Sequence, residues 1–181
     1  MNIDKTELEG VLLIKPDVYY DERGYFLESF NENKYESLGI PNYFVQDNIS
    51  KSIKGTIRGL HYQVGEFAQG KLCQVTYGKV LDVAVDLRKN SSTFGKYASV
   101  ILSDENNYQL WIPVGFAHGF SVISDVAVFH YKCTKKYSKE HERSLFYADN
   151  DLKINWNNPE PIISEKDLIA PKLAELGENT F

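Results

Sequence analysis

An all-β fold, a sandwich or a barrel, is what this sequence predicts, and two features predict it. From about Val11 to Ile154 the chain runs as short segments rich in Val, Ile, Tyr, Phe and Thr, separated by clusters of Gly, Asn, Asp and Ser at close intervals. Within that stretch, Lys79 to Arg88 alternates strictly, with Val80, Asp82, Ala84 and Asp86 on one face and Leu81, Val83, Val85 and Leu87 on the other. Because successive side chains of a strand point to opposite sides, this reads as a strand with one apolar face.

The other elements follow from the same signals. Lys71 to Tyr77 precedes that strand, and the tight Gly78-Lys79 connection predicts a hairpin between the two. Further strands are expected at Tyr97–Leu102, Tyr108–Ile112, Gly119–Ile123 and Val126–Thr134. A short helix is expected near the N-terminus over Glu32–Leu38, capped by Asn31 and ended by Gly39. A second is expected near the C-terminus, where Ser164 supplies a cap, Asp167 an acidic residue three positions on, and Leu168–Leu176 a helical continuation kinked at Pro171. No repeat, linker or low-complexity segment interrupts the chain, so residues 1–181 read as one domain.

Composition narrows the function. The 181 residues are 43% hydrophobic, enough for a substantial core. Twenty Lys and Arg stand against 25 Asp and Glu, a net charge of −5, which lacks the basic excess that a phosphate backbone demands and argues against nucleic acid as a partner. An anionic small molecule stays open, since a few converging cations make a local positive pocket on an acidic protein. Cys73 and Cys133 lie singly inside apolar runs and read as buried free thiols rather than a zinc or redox motif. No apolar run approaches the roughly 18 residues of a membrane span, and the start MNIDKTELEG lacks a signal-peptide core, so a cytosolic protein without membrane partners is expected.

Four segments concentrate polar side chains within sequence that otherwise reads as buried strand: Asp21–Glu28, Phe44–Asn48, Arg58–Gln63 with Lys71, and Phe129–Lys132 with Tyr137. Together with Ile112–Phe120 and Ser164–Asp167 they resemble, block after block and in the same order, the signatures of the dTDP-4-dehydrorhamnose 3,5-epimerase family. One block such as RGLHYQ would only be suggestive; six in register over nearly the whole chain are specific. The resemblance implies a double-stranded β-helix (cupin, or jelly-roll barrel), a homodimer, no cofactor and no metal, and epimerisation at C3 and C5 of a 4-keto-6-deoxy sugar carried on a nucleoside diphosphate.

That chemistry accounts for the residue types. A ketone at C4 makes the C3 and C5 hydrogens removable, so inversion needs a base on one face, an acid on the other and a cation for the enolate oxygen. The resemblance assigns the base to His61, whose ordinary pKa lies near neutrality. It makes Asp167 the orienting carboxylate, Lys71 the cation and Tyr131 the acid; one such stabilising donor is typically worth about 3 kcal/mol. It also puts Arg23, Glu28, Gln46, Asp47, Asn48, Arg58, His118, Glu142 and Lys166 around the substrate, stacks Tyr137 on the base, and lets a partner subunit contribute some of these residues.

Each residue also has a plainer reading. His61 alone fits a hydrogen-bonded core histidine, Asp167 a helix-start carboxylate, Lys71 a solvated strand end, Tyr131 an ordinary strand aromatic, His141 and Glu142 a charged loop, and Arg23 a turn beside Gly24. Strand parity puts Lys71, Cys73 and Val75 on one face and Phe129, Tyr131 and Cys133 on another, so both sets can point into one interior. Arg58 and His61 differ by three positions, so an irregularity at Gly59 is needed for both to face a ligand. Two rivals remain. Pro113-x-Gly115-x-x-His118 resembles the second cupin motif of metal enzymes, although His61-Tyr62-Gln63 lacks the ligand pair of the first. A sugar-binding module without catalysis is the other. Within the family, inversion at one carbon only, or a GDP-linked sugar, uses the same catalytic set; the likeness of the Gln46-Asp47-Asn48 block and Tyr137 to the rhamnose-pathway pattern favours double inversion on a thymidine nucleotide.

Overall fold

The computed structural model describes residues 1–181. Strands β1 (Asn2–Lys5), β2 (Leu12–Lys15), β3 (Val18–Asp21) and β4 (Gly24–Leu27) lead into helix α1 (Glu32–Glu36). Then follow β5 (Gln46–Ile53), β6 (Ile57–Gln63), β7 (Lys71–Tyr77), β8 (Lys79–Asp86), β9 (Tyr97–Ser103), β10 (Gln109–Ile112), β11 (Phe116–Val122), β12 (Val126–Cys133) and β13 (Glu142–Ser144), and last α2 (Glu165–Leu168). Six strands pair in the order β1-β2-β10-β7-β12-β5, and five in the order β13-β6-β11-β8-β9; β3 and β4 form a separate hairpin. Every strand-to-strand pairing is antiparallel. The result is a cupin-like double-stranded β-helix made of two facing sheets, not one ladder closed on itself.

The faces of these sheets bury three apolar clusters. Between the sheets lie Cys73, Val75, Val80, Ala84, Leu110, Phe116, Phe120 and Phe129 among others. Behind the five-stranded sheet, Leu81, Val83 and Val85 pack under the C-terminal segment through Leu145, Leu152, Trp156 and Leu176. Over the six-stranded sheet, α1 lays Tyr35 against Leu72 and Trp111, and the Tyr35 hydroxyl reaches Gln109 Oε1 at 2.6 Å. Full burial of such a side chain is worth about 1.5–3 kcal/mol, so each layer is held by its own apolar face.

Three local expectations are corrected. Strands β7 and β8 are not a hairpin, because they belong to different sheets. Gly78 turns the corner between the sheets at φ +79°, where an added Cβ would stand 2.1 Å from the Val126 carbonyl oxygen. The alternation in β8 separates two buried environments, not core from solvent: Val80 and Ala84 face the space between the sheets, while Leu81, Val83 and Val85 face the C-terminal layer. Both helices are shorter than predicted. α1 stops at Glu36, and α2 ends at Leu168 with a separate 3₁₀ turn over Leu173–Glu175, since Pro171 has no N–H to donate and disfavours helical geometry at the residue before it.

Candidate active site

Towards one end of the sandwich the apolar filling gives way to a cavity of about 660 Å³, within the size range of small-molecule sites. Strands β5, β6, β7, β11, β12 and β13 and the segment leading into α2 line it.

On one wall stands His61. Its Nε2 lies 2.6 Å from Asp167 Oδ1, although the residues are 106 positions apart. Ser164 caps α2 by accepting from the Asp167 N–H at 3.2 Å, while the Asp167 carboxylate makes its shortest contact away from the cap. It turns to His61 and to the Gly59 N–H, 3.4 Å from Oδ2. Burial pushes the carboxyl pKa of Asp167 up, and the hydrogen bond and charge of His61, with Gly59 and Ser164, outweigh it, so its pKa lies below the ordinary 3.8.

His61 owes its position to an irregularity in β6. His118 pairs with His61 and Phe120 with Arg58, so the register slips between them. Gly59 takes φ +137°, and a Cβ there would stand 2.5 Å from the Gly119 Cα. Only glycine tolerates both, and the slip turns Arg58 as well as His61 toward the cavity.

Lys71 and Tyr131 line the same cavity from β7 and β12. The Lys71 ammonium lies 3.3 Å from the His61 carbonyl oxygen and 5.8 Å from the Tyr131 ring centroid. Burial lowers the Lys71 pKa from 10.5, opposed by nearby negative groups including Asp82 and Glu142. Burial also lifts the Tyr131 phenol to about 12, which keeps it protonated at neutral pH. Across from His61, His118 presents its ring with Nε2 2.6 Å from Asp82 Oδ1; burial is the main cause of its lowered pKa.

The rim carries the polar and charged groups. Arg58 Nε donates to Ser52 Oγ at 3.0 Å, and Asn48 lines the same wall as its strand neighbour Tyr131. Lys166 pairs with Glu142 at 2.5 Å, and the Tyr137 hydroxyl donates to Glu142 at 3.1 Å. Gln46 does not line the cavity; it accepts the Tyr137 N–H at 2.8 Å and donates to Asn48 at 2.9 Å, steadying the rim.

Besides Gln46, three expected site residues are not brought to this cavity within the chain. Arg23 is exposed in the β3–β4 turn and paired with Asp21. Glu28 pairs with Lys34 beside α1 at 2.8 Å. Asp47, between Gln46 and Asn48, faces the opposite side of β5 and pairs with Lys132 at 2.9 Å, as strand parity requires.

Sequence reasoning missed Asp82, whose place in an alternating strand looked like a solvated face; its position between the inward Val80 and Ala84 is the signal that it points to the interior. It also gave no role to Gln63, which holds the Tyr137 loop by accepting the Ser138 N–H at 2.6 Å and donating to the Lys136 carbonyl at 3.1 Å. Nor did it foresee that Cys73, Asp82 and His118 bring one donor atom each within 4.8 Å of one another. The 2.6 Å separation of Asp82 and His118 is a hydrogen bond, shorter than the ~3.3 Å between two ligands of a tetrahedral ion at ordinary bond lengths. The Lys71 ammonium is a further unfavourable neighbour for a cation.

The chain and its fold have close counterparts. A family model for dTDP-4-dehydrorhamnose 3,5-epimerase matches residues 5–175. The dTDP-4-dehydrorhamnose 3,5-epimerase of Shigella flexneri is 52% identical over 176 residues, 97% of each chain. The dTDP-6-deoxy-D-glucose-3,5-epimerase of Legionella pneumophila Philadelphia 1, solved in complex with dTDP-4-keto-L-rhamnose, superposes with a TM-score of 0.95 at 49% identity, covering 99% of this chain and 96% of that one. A 3'-monoepimerase from Streptomyces bikiniensis, in complex with dTDP-quinovose, shares the fold at 32% identity and a TM-score of 0.89, covering 96% and 88%. A match of this length, at this identity and over this fold, puts the chain in the dTDP-4-dehydrorhamnose 3,5-epimerase family.

Proposed function

We propose that this protein is a dTDP-4-dehydrorhamnose 3,5-epimerase, converting dTDP-4-keto-6-deoxy-D-glucose to dTDP-4-keto-L-rhamnose in the route to dTDP-rhamnose. The observation that carries the reading is the His61–Asp167 pair sharing one cavity with the Lys71 ammonium and the Tyr131 phenol. His61 takes the proton from C5, and the C–H electron pair moves into the C4 carbonyl as an enolate. Lys71 offsets the charge on that oxygen, and Asp167 stabilises the imidazolium. Tyr131 delivers a proton to the other face of the carbon, the carbonyl re-forms, and solvent restores the imidazole and the phenol. The same cycle at C3 completes the inversion. General-base assistance of this kind contributes roughly 10²- to 10⁴-fold. Arg58 and Lys166 supply positive charge for the diphosphate, with His118, Asn48 and Glu142 around the substrate and Gln46 steadying Asn48 and Tyr137, and Tyr137 offers its ring to the base.

A homodimer belongs to the same reading. The β3–β4 hairpin exposes Tyr19, Tyr20, Tyr25 and Phe26 and carries Arg23 at its tip. An apolar hairpin with a terminal cation suits insertion beside the nucleotide of a second copy, which would bring Arg23 and Glu28 to that copy's cavity. The free, buried thiols of Cys73 and Cys133 fit a reducing, cytosolic setting.

The test is to incubate the protein with dTDP-4-keto-6-deoxy-D-glucose in heavy water and follow C3 and C5 by NMR, with His61→Ala as control. Deuterium at both carbons with wild type and at neither with the variant is the expected result. Label at a single carbon would make the protein a mono-epimerase, and no label would overturn the assignment.

A further inference from the structure

His118 lines the cavity, yet it is nearly as buried as the core around it, and its partner is stranger still. Asp82 is fully buried on β8. One carboxylate oxygen meets His118 Nε2 at 2.6 Å, and the other, Oδ2, is buried with no hydrogen-bond partner. A half-satisfied buried carboxylate costs stability, and a hydrophobe of similar size would avoid that cost. Apart from the Lys71 ammonium, whose charge it senses, its surroundings are apolar: His118 stacks on Phe129 at 5.8 Å between centroids, and the Cys73 thiol lies 3.8 Å from Nε2. Lys71 favours a negative charge in this region, but the short contact of Asp82 is to the His118 ring, which lines the cavity.

A carboxylate accepts and cannot donate, so the 2.6 Å contact requires a proton on His118 Nε2. In a neutral ring Nδ1 is then a bare lone pair, and no group of the chain takes it up: the ring's hydrogen bond is the Nε2 contact to Asp82, and the Cys73 sulfur also approaches Nε2, not Nδ1. We propose that Asp82 is a positioning residue of the active site, which fixes the tautomer of His118 so that its free Nδ1 accepts a hydrogen bond from a hydroxyl group of the sugar bound in the cavity. This rests on the sugar-epimerase reading of the site. It gives the two carboxylate–imidazole pairs different work: Asp167 supports a ring that becomes charged, and Asp82 a ring that stays neutral and orients substrate. Lys71 is then the cation that meets the enolate oxygen.

Two measurements on the whole protein test this. With ¹⁵N-labelled histidine, two-bond proton–nitrogen spectra at neutral pH should show His118, assigned with a His118→Asn variant, as a neutral ring protonated at Nε2. A ring protonated at Nδ1, or an imidazolium, overturns the proposal whether or not any Asp82 variant folds. Asp82→Asn, which can turn its amide N–H toward Nε2, should move the ring toward the Nδ1-protonated form and lower kcat/KM 10- to 1,000-fold, while the melting temperature holds or rises. Unchanged kcat/KM, or a loss explained by a fall in melting temperature with the tautomer unchanged, would show Asp82 to be structural only. The deuterium exchange of wild type is read alongside: if that fails, the sugar reading is wrong, whereas the histidine spectra still report on Asp82.

Discussion

His61 and His118 face each other across neighbouring strands in direct register, and each ring is held at 2.6 Å by a carboxylate from a different part of the chain. Asp167 comes from the start of α2 and Asp82 from the middle of β8, so the cavity is fixed at two points by elements the sequence separates by 85 positions. The two pairs differ in exposure: the His61 side chain is 31% exposed and that of His118 only 7%. That difference lets one ring exchange protons with solvent and holds the other away from it.

Removing the Asp167 charge should disable the base without unfolding the protein. Asp167→Asn is expected to lower kcat by about 10³- to 10⁴-fold, as loss of the orienting carboxylate does in a hydrolase triad, with a modest fall in melting temperature at neutral pH; steady-state kinetics and calorimetry together check this. Because the folded pKa of Asp167 lies below 3.8, its contribution to stability is present above the unfolded value and is lost as pH falls through the folded one. The acid limb of thermal stability should accordingly flatten in the variant.

The alkaline limb of activity should belong to Lys71. Burial lowers its pKa from 10.5, while the same burial lifts Tyr131 to about 12, so on raising the pH the ammonium is lost before the phenol. Tyr131→Phe is expected to lower kcat yet leave the midpoint of the residual alkaline limb in place. Lys71→Arg should retain some activity with that midpoint moved upward; a midpoint that moves with Tyr131 instead contradicts the assignment.

The exposed hairpin makes a prediction about mixing. Arg23→Ala should raise KM about 10- to 100-fold, the worth of one charge-assisted hydrogen bond, with kcat nearly unchanged. Mixing it with the inactive His61→Ala protein under exchange conditions should recover low-KM activity, because the second chain lends an intact Arg23 to a cavity that retains His61. No recovery in verified mixed dimers would place the role of Arg23 within its own chain.

Gly59 should be intolerant of any side chain. Alanine there must adopt φ +137° and stand 2.5 Å from the Gly119 Cα. Strain and overpacking together are expected to cost about 3 kcal/mol, visible as a lowered denaturation midpoint. Activity should fall further than stability, since the same backbone aims His61 and donates to Asp167.

The sequence by itself determined the strand-rich fold, the inward parity of Lys71, Cys73 and Tyr131, the cap at Ser164 and the need for an irregularity at Gly59. All of these are properties of neighbours a few positions apart. Its ordered blocks also marked the family. It could not say that β7 and β8 part company at Gly78, because a glycine turn looks the same whether the chain folds back on its sheet or crosses to the other. It could not separate Asp82 from a solvated aspartate, because alternation reports which residues share a face and not what that face meets. Only the tertiary structure decided that Asp167 reaches from its helix cap to an imidazole 106 positions away, that Asp82 stands under His118, and that Arg23, Glu28 and Asp47 lie outside the cavity of their own chain. Contacts between distant segments are set by how whole faces pack, and that information resides in no local window of residues.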